Sequence, residues 1–153
     1  MPTASNLQPI ADRINTGLED TETTRALVVF NCRTDGPLSC SAVFPVAMSW
    51  LVSTPFPPVT VTDENGSLVA SAVRFYRQSP DIKGRKTHCH VWFELWFDVC
   101  DVPQRGWKTY IAAYTEVPGP LLTEFHGLHG LLVVETTRHG GDLPRVGELE
   151  PGV

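Results

Sequence analysis

Residues 87–99 alternate strictly between two sets of side chains, and this pattern constrains the fold more than any other feature of the sequence. Because a helix repeats its faces about every 3.6 residues, a period of two over this length predicts a long β-strand. One face is mainly apolar and is expected in the core: Thr87, Cys89, Val91, Phe93, Leu95, Phe97 and Val99. The other is the candidate ligand or interface face: His88, His90, Trp92, Glu94, Trp96 and Asp98.

Short apolar runs continue this β pattern along the chain. The sequence contains 12 glycines and 13 prolines, which separate these runs and are typical of an all-β protein. The Asn65-Gly66 pair predicts a hairpin between strands at 59–62 and 68–76. Further strands are expected at residues 26–31, 39–44, 50–53, 107–115 and 131–136.

These elements predict one all-β domain, an antiparallel β-sandwich with short polar arms at both ends. The expected boundaries are a polar N-terminal arm at 1–24, the sandwich at 25–136 and a loose C-terminal tail at 137–153. The first arm is expected to be extended or to form a short helix at residues 9–18.

Composition and charge restrict the possible partners. The net charge is −5, which argues against a nucleic-acid partner because such proteins cluster cations against phosphates. No apolar run reaches the roughly 18 residues of a membrane span, and no secretory signal is visible at the N-terminus, so we expect no membrane partner and, by default, a cytoplasmic location. The cysteines are Cys32, Cys40, Cys89 and Cys100; Cys32 and Cys40 could lie close enough to pair, or all four could be reduced thiols.

His88, His90 and Glu94 form the sharpest candidate metal site. Two histidines at alternate strand positions lie about 7 Å apart on one face and can converge on a metal. Glu94 would be about 13 Å beyond His90 unless the strand bulges. The spacing resembles the first cupin motif, although Asp101 stands where that motif has its closing glycine. The alternatives are a free-standing cupin-like metal-dependent enzyme or small-molecule binding protein, or two histidines on an exposed or interface face.

Other catalytic signatures are missing from the sequence, and we assign no catalytic residue. It contains no nucleophile elbow and no phosphate-binding glycine motif. Trp92 and Trp96 could form a flat platform for sugar rings or could be covered at an interface. Two exposed indoles would be unusual, so we expect this face to be covered by residues 117–136, by another subunit or by a catalytic domain.

Three segments in order resemble one known family. They are ALVVFN at 26–31, the hairpin at 59–73 and the run DVPQRGWKTYIAAY at 101–114. Together they are similar to the β-sandwich region that follows the catalytic domain in class II α-mannosidases, glycoside hydrolase family 38. The resemblance covers residues 26–115 and rests on Asn31, Val102, Pro103, Gly106, Trp107, Thr109 and Tyr110. Cys32, where that family has proline, departs from its pattern, and so does Trp107, where tyrosine or phenylalanine is usual.

The resemblance implies an accessory domain without its enzyme. In that family the catalytic half supplies a zinc site with an H-x-D element, and no histidine here is followed two residues later by aspartate. We therefore expect no cofactor in this chain, since zinc would belong to an absent catalytic domain. The expected partners are a glycoside hydrolase catalytic domain, a second copy of the chain, or carbohydrate.

Overall fold

The computed structural model describes residues 2–18, 24–51, 58–79, 88–115, 117–137 and 140–153, with only the backbone described at Leu51 and His88. Within these ranges the elements are α1 (Ala4–Ala11), β1 (Thr24–Asn31), β2 (Leu38–Leu51), β3 (Val59–Thr62), β4 (Leu68–Val69), β5 (Ser71–Gln78), β6 (His88–Val102), β7 (Gly106–Tyr114), β8 (Leu131–Thr136) and β9 (Val146–Glu148). The predicted all-β class is confirmed.

The strands form two antiparallel sheets. Five strands of the larger sheet lie in the order β4-β3-β7-β1-β8, and β9 pairs with β7 as its sixth strand. The smaller sheet has the order β2-β6-β5, so the predicted long strand β6 lies at its centre. Pro45 lies in β2, which is an edge strand and therefore tolerates a residue that cannot donate a ladder hydrogen bond.

The main core lies between the two sheets and contains the predicted apolar face of β6. All of its described members from Cys89 to Val99 are at most 4% exposed. Those from Phe93 to Val99 pack with alternate residues of β1 and β7, including Leu27, Val29, Tyr110 and Ala112. Two residues beyond Val99, Asp101 has a positive φ of 53° and the pairing with β2 shifts register. This bulge turns Val102 back into the core.

A second core lies on the opposite face of the larger sheet. There Val28 and Phe30 of β1 pack under α1 and the C-terminal segment, together with Leu7, Ala11, Ile14, Cys32, Trp107, Val134 and Leu149. The helix begins after Thr3, whose hydroxyl accepts a hydrogen bond from the Asn6 backbone N–H, and it ends at Ala11. It therefore lies earlier than the expected 9–18. The sequence predicted a polar arm at each end of the chain. Both terminal segments nevertheless contribute buried apolar side chains to this core.

The predicted strand at 68–76 is divided between the sheets. Asp63 closes the predicted turn by accepting hydrogen bonds from the backbone N–H groups of Asn65 and Ser67, and β4 then pairs with β3. After Ala70 the chain leaves the larger sheet and continues as β5, which pairs with β6.

Two other predictions fall partly on residues that lie outside the described ranges. Trp50 and Leu51 of the strand expected at 50–53 are the last residues of β2, and residues 52–53 lie outside the described residues. Thr87 lies outside them as well. No helix among the described residues is long and apolar enough to cross a membrane.

Candidate functional site

The candidate site is the outer surface of the smaller sheet, which we call the aromatic face. It carries His90, Trp92, Glu94, Trp96 and Asp98 of β6 and the side chains beside them on β2 and β5. His90 and Asp98 are exposed, whereas Trp92, Glu94 and Trp96 are half-buried. The backbone of His88 lies opposite Leu51 at the start of β6; its side chain lies outside the description.

The side chains that flank this face are small on β2 and large on β5. On β2, Ala47 lies opposite Trp92 and Pro45 lies opposite Glu94, so small side chains keep this side low. On β5, Arg77 lies opposite Trp92 and Arg74 lies opposite Glu94. The extra residue of a bulge in β5, Phe75, has a φ of 56° and is 66% exposed.

A segment that we call the strap, residues 120–128, crosses one end of the aromatic face. It is held to β5 because Ser71 donates its backbone N–H to the Pro120 carbonyl at 3.0 Å and accepts from Leu122 at 3.0 Å. On β2, the backbone N–H of Ser41 donates to the His126 carbonyl at 3.0 Å, and the Ser41 hydroxyl donates to the Glu124 carbonyl at 3.2 Å. The strap is therefore anchored to both edge strands of the sheet.

Phe125 of the strap covers Trp96. The two rings meet edge to face, with their centroids 5.4 Å apart at an interplanar angle of 83°. The Arg74 guanidinium lies 4.1 Å from the Phe125 centroid and 5.5 Å from that of Trp96, a cation–π arrangement that fastens the strap to β5. Trp96 also donates its Nε1–H to Glu94 Oε1 at 3.0 Å. Residues of the chain itself therefore cover one end of the aromatic face. Residues 117–136 were the first of the three coverings expected from the sequence.

Trp92 lies in the open half of the aromatic face. Its ring centroid is 5.7 Å from that of His90, and the Arg77 guanidinium lies 5.7 Å from it. A shallow depression of about 380 Å³ adjoins Trp92 and includes Pro45, Ala47, Phe75, Arg77 and Glu94 in its lining. An aromatic ring beside one cationic donor and one anionic acceptor can contact a ligand that has both apolar and hydroxyl surfaces.

Of the candidate metal site, the structure describes the side chains of His90 and Glu94 but not that of His88. β6 keeps an unbroken register with β2 from Val99 to His88, and the bulge near Trp92 belongs to β5. His90 and Glu94 therefore keep the spacing of a regular strand, about 13 Å. Among the described side chains, no three His, Cys, Asp or Glu groups come together in a way that could hold a metal ion.

The described cysteines are free thiols. Cys32 belongs to the second core, whereas Cys40 packs against the core between the sheets, so they lie on different sides of the larger sheet. Burial raises the pKa of both thiols, which keeps them protonated and weakly nucleophilic.

Sequence reasoning missed the residues outside β6. Arg74 and Phe75 were within the strand predicted at 68–76 and Arg77 directly follows it, but local pattern did not show which strand these residues would pair with. Phe125 lies in a stretch whose sequence predicted no strand. Its packing on Trp96 was anticipated only in so far as residues 117–136 were expected to cover this face.

The fold and this surface define an antiparallel β-sandwich with an aromatic outer face, and part of a solved structure has a similar fold. A crystal structure of a protein in glycosyl hydrolase family 38 from Enterococcus faecalis matches with a TM-score of 0.55 at 14% identity, over 78% of this chain and 16% of that protein. An α-mannosidase from E. faecalis V583 matches over 78% of this chain and 15% of its own, at 14% identity and a TM-score of 0.49.

The resemblance to family 38 is therefore confirmed at the level of the fold, and this chain spans only about a sixth of the matching protein. No protein-family model matches the sequence. No curated protein matches it either.

Proposed function

We propose that this chain is a non-catalytic accessory β-sandwich domain, resembling that of α-mannosidases, which works beside a glycoside hydrolase catalytic domain and contacts carbohydrate through its aromatic face. The observation that carries the proposal is Trp92, which lies half-buried in a depression with Arg77 and Glu94 on the outer surface of the smaller sheet. The domain itself needs no cofactor in this role, and neither nucleic acid nor membrane is among its partners.

The chemistry of this surface supports a sugar ligand. A pyranose ring has an apolar C–H face that packs on an indole, while its hydroxyls both donate and accept hydrogen bonds. Arg77 supplies donors and Glu94 supplies acceptors at the edge of the same depression. Further support comes from the fold, because a protein with a similar fold belongs to a glycosyl hydrolase family.

Affinity electrophoresis tests carbohydrate contact directly. The purified chain is run in native gels with and without soluble α-mannan, and we expect retardation that free methyl α-mannoside reverses. The control variant is Leu68→Ala, an exposed residue of β4 outside the aromatic face, which leaves retardation unchanged. Unretarded migration of the parent chain in mannan and in a β-glucan control gel would contradict the proposal.

Docking on a catalytic domain is the second candidate, and the exposed apolar side chains of β5 favour it. Val73 is 36% exposed, Phe75 66% and Tyr76 40%, all on one edge strand. The strap occupies the backbone of Ser71 and the bulge interrupts the edge at Phe75, so a partner would dock on side chains rather than add a strand.

Co-expression tests this docking. The chain is produced together with a family 38 catalytic polypeptide encoded by the neighbouring DNA, and the mixture is examined by size-exclusion chromatography with light scattering. We expect a one-to-one complex that a Phe75→Ala, Tyr76→Ala variant loses and that Leu68→Ala, an exposed residue of β4, retains. Self-association of the chain alone, or separate elution of the two polypeptides, would contradict docking on an enzyme.

A further inference from the structure

We propose that the depression beside Trp92 binds a single terminal residue of a neutral carbohydrate chain and that the strap prevents binding along the chain. This inference deepens the proposed function and rests on it. It assigns both the position of the binding site and the part of the ligand that the site recognises.

The shape of the depression suits one small ring. Its volume of about 380 Å³ is near the lower limit of ligand pockets, which span about 300–1,000 Å³. Pro45 and Ala47 leave its β2 side low, and the bulge that turns Phe75 outward raises a wall on the β5 side. Trp92 lies between these two sides, where a sugar ring can pack on its indole.

The charges on this surface favour a neutral ligand. On β5 and β6, Arg74 and Arg77 are matched in number by Glu94 and Asp98, so the face carries no excess of either sign. Arg74 packs against Phe125 and Trp96 and does not line the depression, whereas Arg77, which lies beside Trp92, and Glu94 line it as its donor and its acceptor. The lining therefore pairs one cation with one anion, and a phosphorylated or acidic sugar would need a second cation there.

The strap limits the number of sugar residues that the aromatic face can bind. Trp92 and Trp96 lie on the same face four residues apart, about 13 Å along the strand, and two such rings could contact an extended oligosaccharide. Phe125 instead packs against the Trp96 ring, and Ser41 and Ser71 tie the strap to both edges of the sheet. A bound sugar chain therefore cannot continue from Trp92 towards Trp96.

Calorimetric titration with methyl α-mannoside, α-mannobiose and α-mannotriose tests this inference, with the matching glucose series run in parallel. We expect the three ligands of a series to bind with molar affinities within about threefold of one another, because each presents one terminal residue. Trp92→Ala is expected to lower the affinity at least about tenfold. Leu68→Ala, an exposed residue of β4 outside the aromatic face, is the control and should bind as the parent does.

Phe125→Ala is the second variant, because removing this ring uncovers Trp96. We expect it to raise the affinity for the trisaccharide while leaving the monosaccharide affinity unchanged, with circular dichroism verifying the fold. An affinity of the parent that rises with every added sugar, or binding that Trp92→Ala leaves intact, would overturn this inference while the proposed carbohydrate contact stands. Absence of binding to every sugar by the parent would overturn both.

Discussion

Adjacent residues of β6 have opposite environments, and this alternation organises both the core and the candidate site. Phe93 is 4% exposed and packs in the core between the sheets, whereas Trp92 and Glu94 on either side of it face outward. Since successive side chains of a strand point to opposite faces, a change at one position tests the core and a change at the next tests the surface.

Phe93→Ala is expected to destabilise the domain by about 3–5 kcal/mol, the usual cost of removing a buried phenylalanine ring. Val43→Ala, on the outer face, is expected to cost less than about 1 kcal/mol. Urea denaturation followed by circular dichroism measures both. A loss below about 1 kcal/mol for Phe93→Ala would mean that the faces of β6 are assigned the wrong way round.

Among the elements, β9 shows how a short strand can depend on one glycine. Gly147 pairs with Trp107 of β7, and the Trp107 Nε1–H donates to the Pro144 carbonyl at 2.9 Å. A Cβ atom at Gly147 would collide with the Trp107 ring, which is only 4% exposed. The C-terminal segment can therefore lie on this face only because residue 147 lacks a side chain.

Gly147→Ala should destabilise the domain by about 1–3 kcal/mol, the range for forcing extra atoms into a packed site. Gly140→Ala is the matched control, because a Cβ there would meet no atom of the described residues within 4 Å. Its expected effect is within about 0.5 kcal/mol of zero. Equal stabilities of the two variants in thermal unfolding would show that β9 can move away from Trp107 without loss.

At the scale of the whole molecule, β1 joins the two cores into one structure. Leu27 and Val29 face the core between the sheets, while Val28 and Phe30 face the core beneath α1. A strand buried on both faces belongs to both hydrophobic cores at once. We therefore expect the helix and the C-terminal segment to unfold together with the sandwich.

Leu7→Ala tests this coupling, because Leu7 is fully buried on α1 and far in sequence from the sandwich strands. The expected loss is about 2–5 kcal/mol, seen as a lower denaturation midpoint for the strand signal in circular dichroism. A single cooperative transition should be retained. Loss of the helix with an unchanged strand transition would instead show that residues 2–18 form an independent unit.

The sequence by itself determined the β class and the faces of β6. Period-two patterning is a property of neighbouring residues, so the buried positions from Cys89 to Val99 follow from local order alone. The Asp63–Ser67 turn was likewise readable, because its hydrogen bonds join residues at most four apart. The resemblance to family 38 was also visible, in the segments at 26–31, 59–73 and 101–114.

Tertiary structure alone decided what covers each apolar surface. The strand expected at 68–76 gave no local sign that it would leave one sheet for the other at Ala70. Nor did Phe125 show that it would pack on Trp96, from which 28 intervening residues separate it. Local pattern reports which faces are apolar, but the choice of a covering segment depends on contacts between residues distant in sequence, and these exist only once the chain has folded.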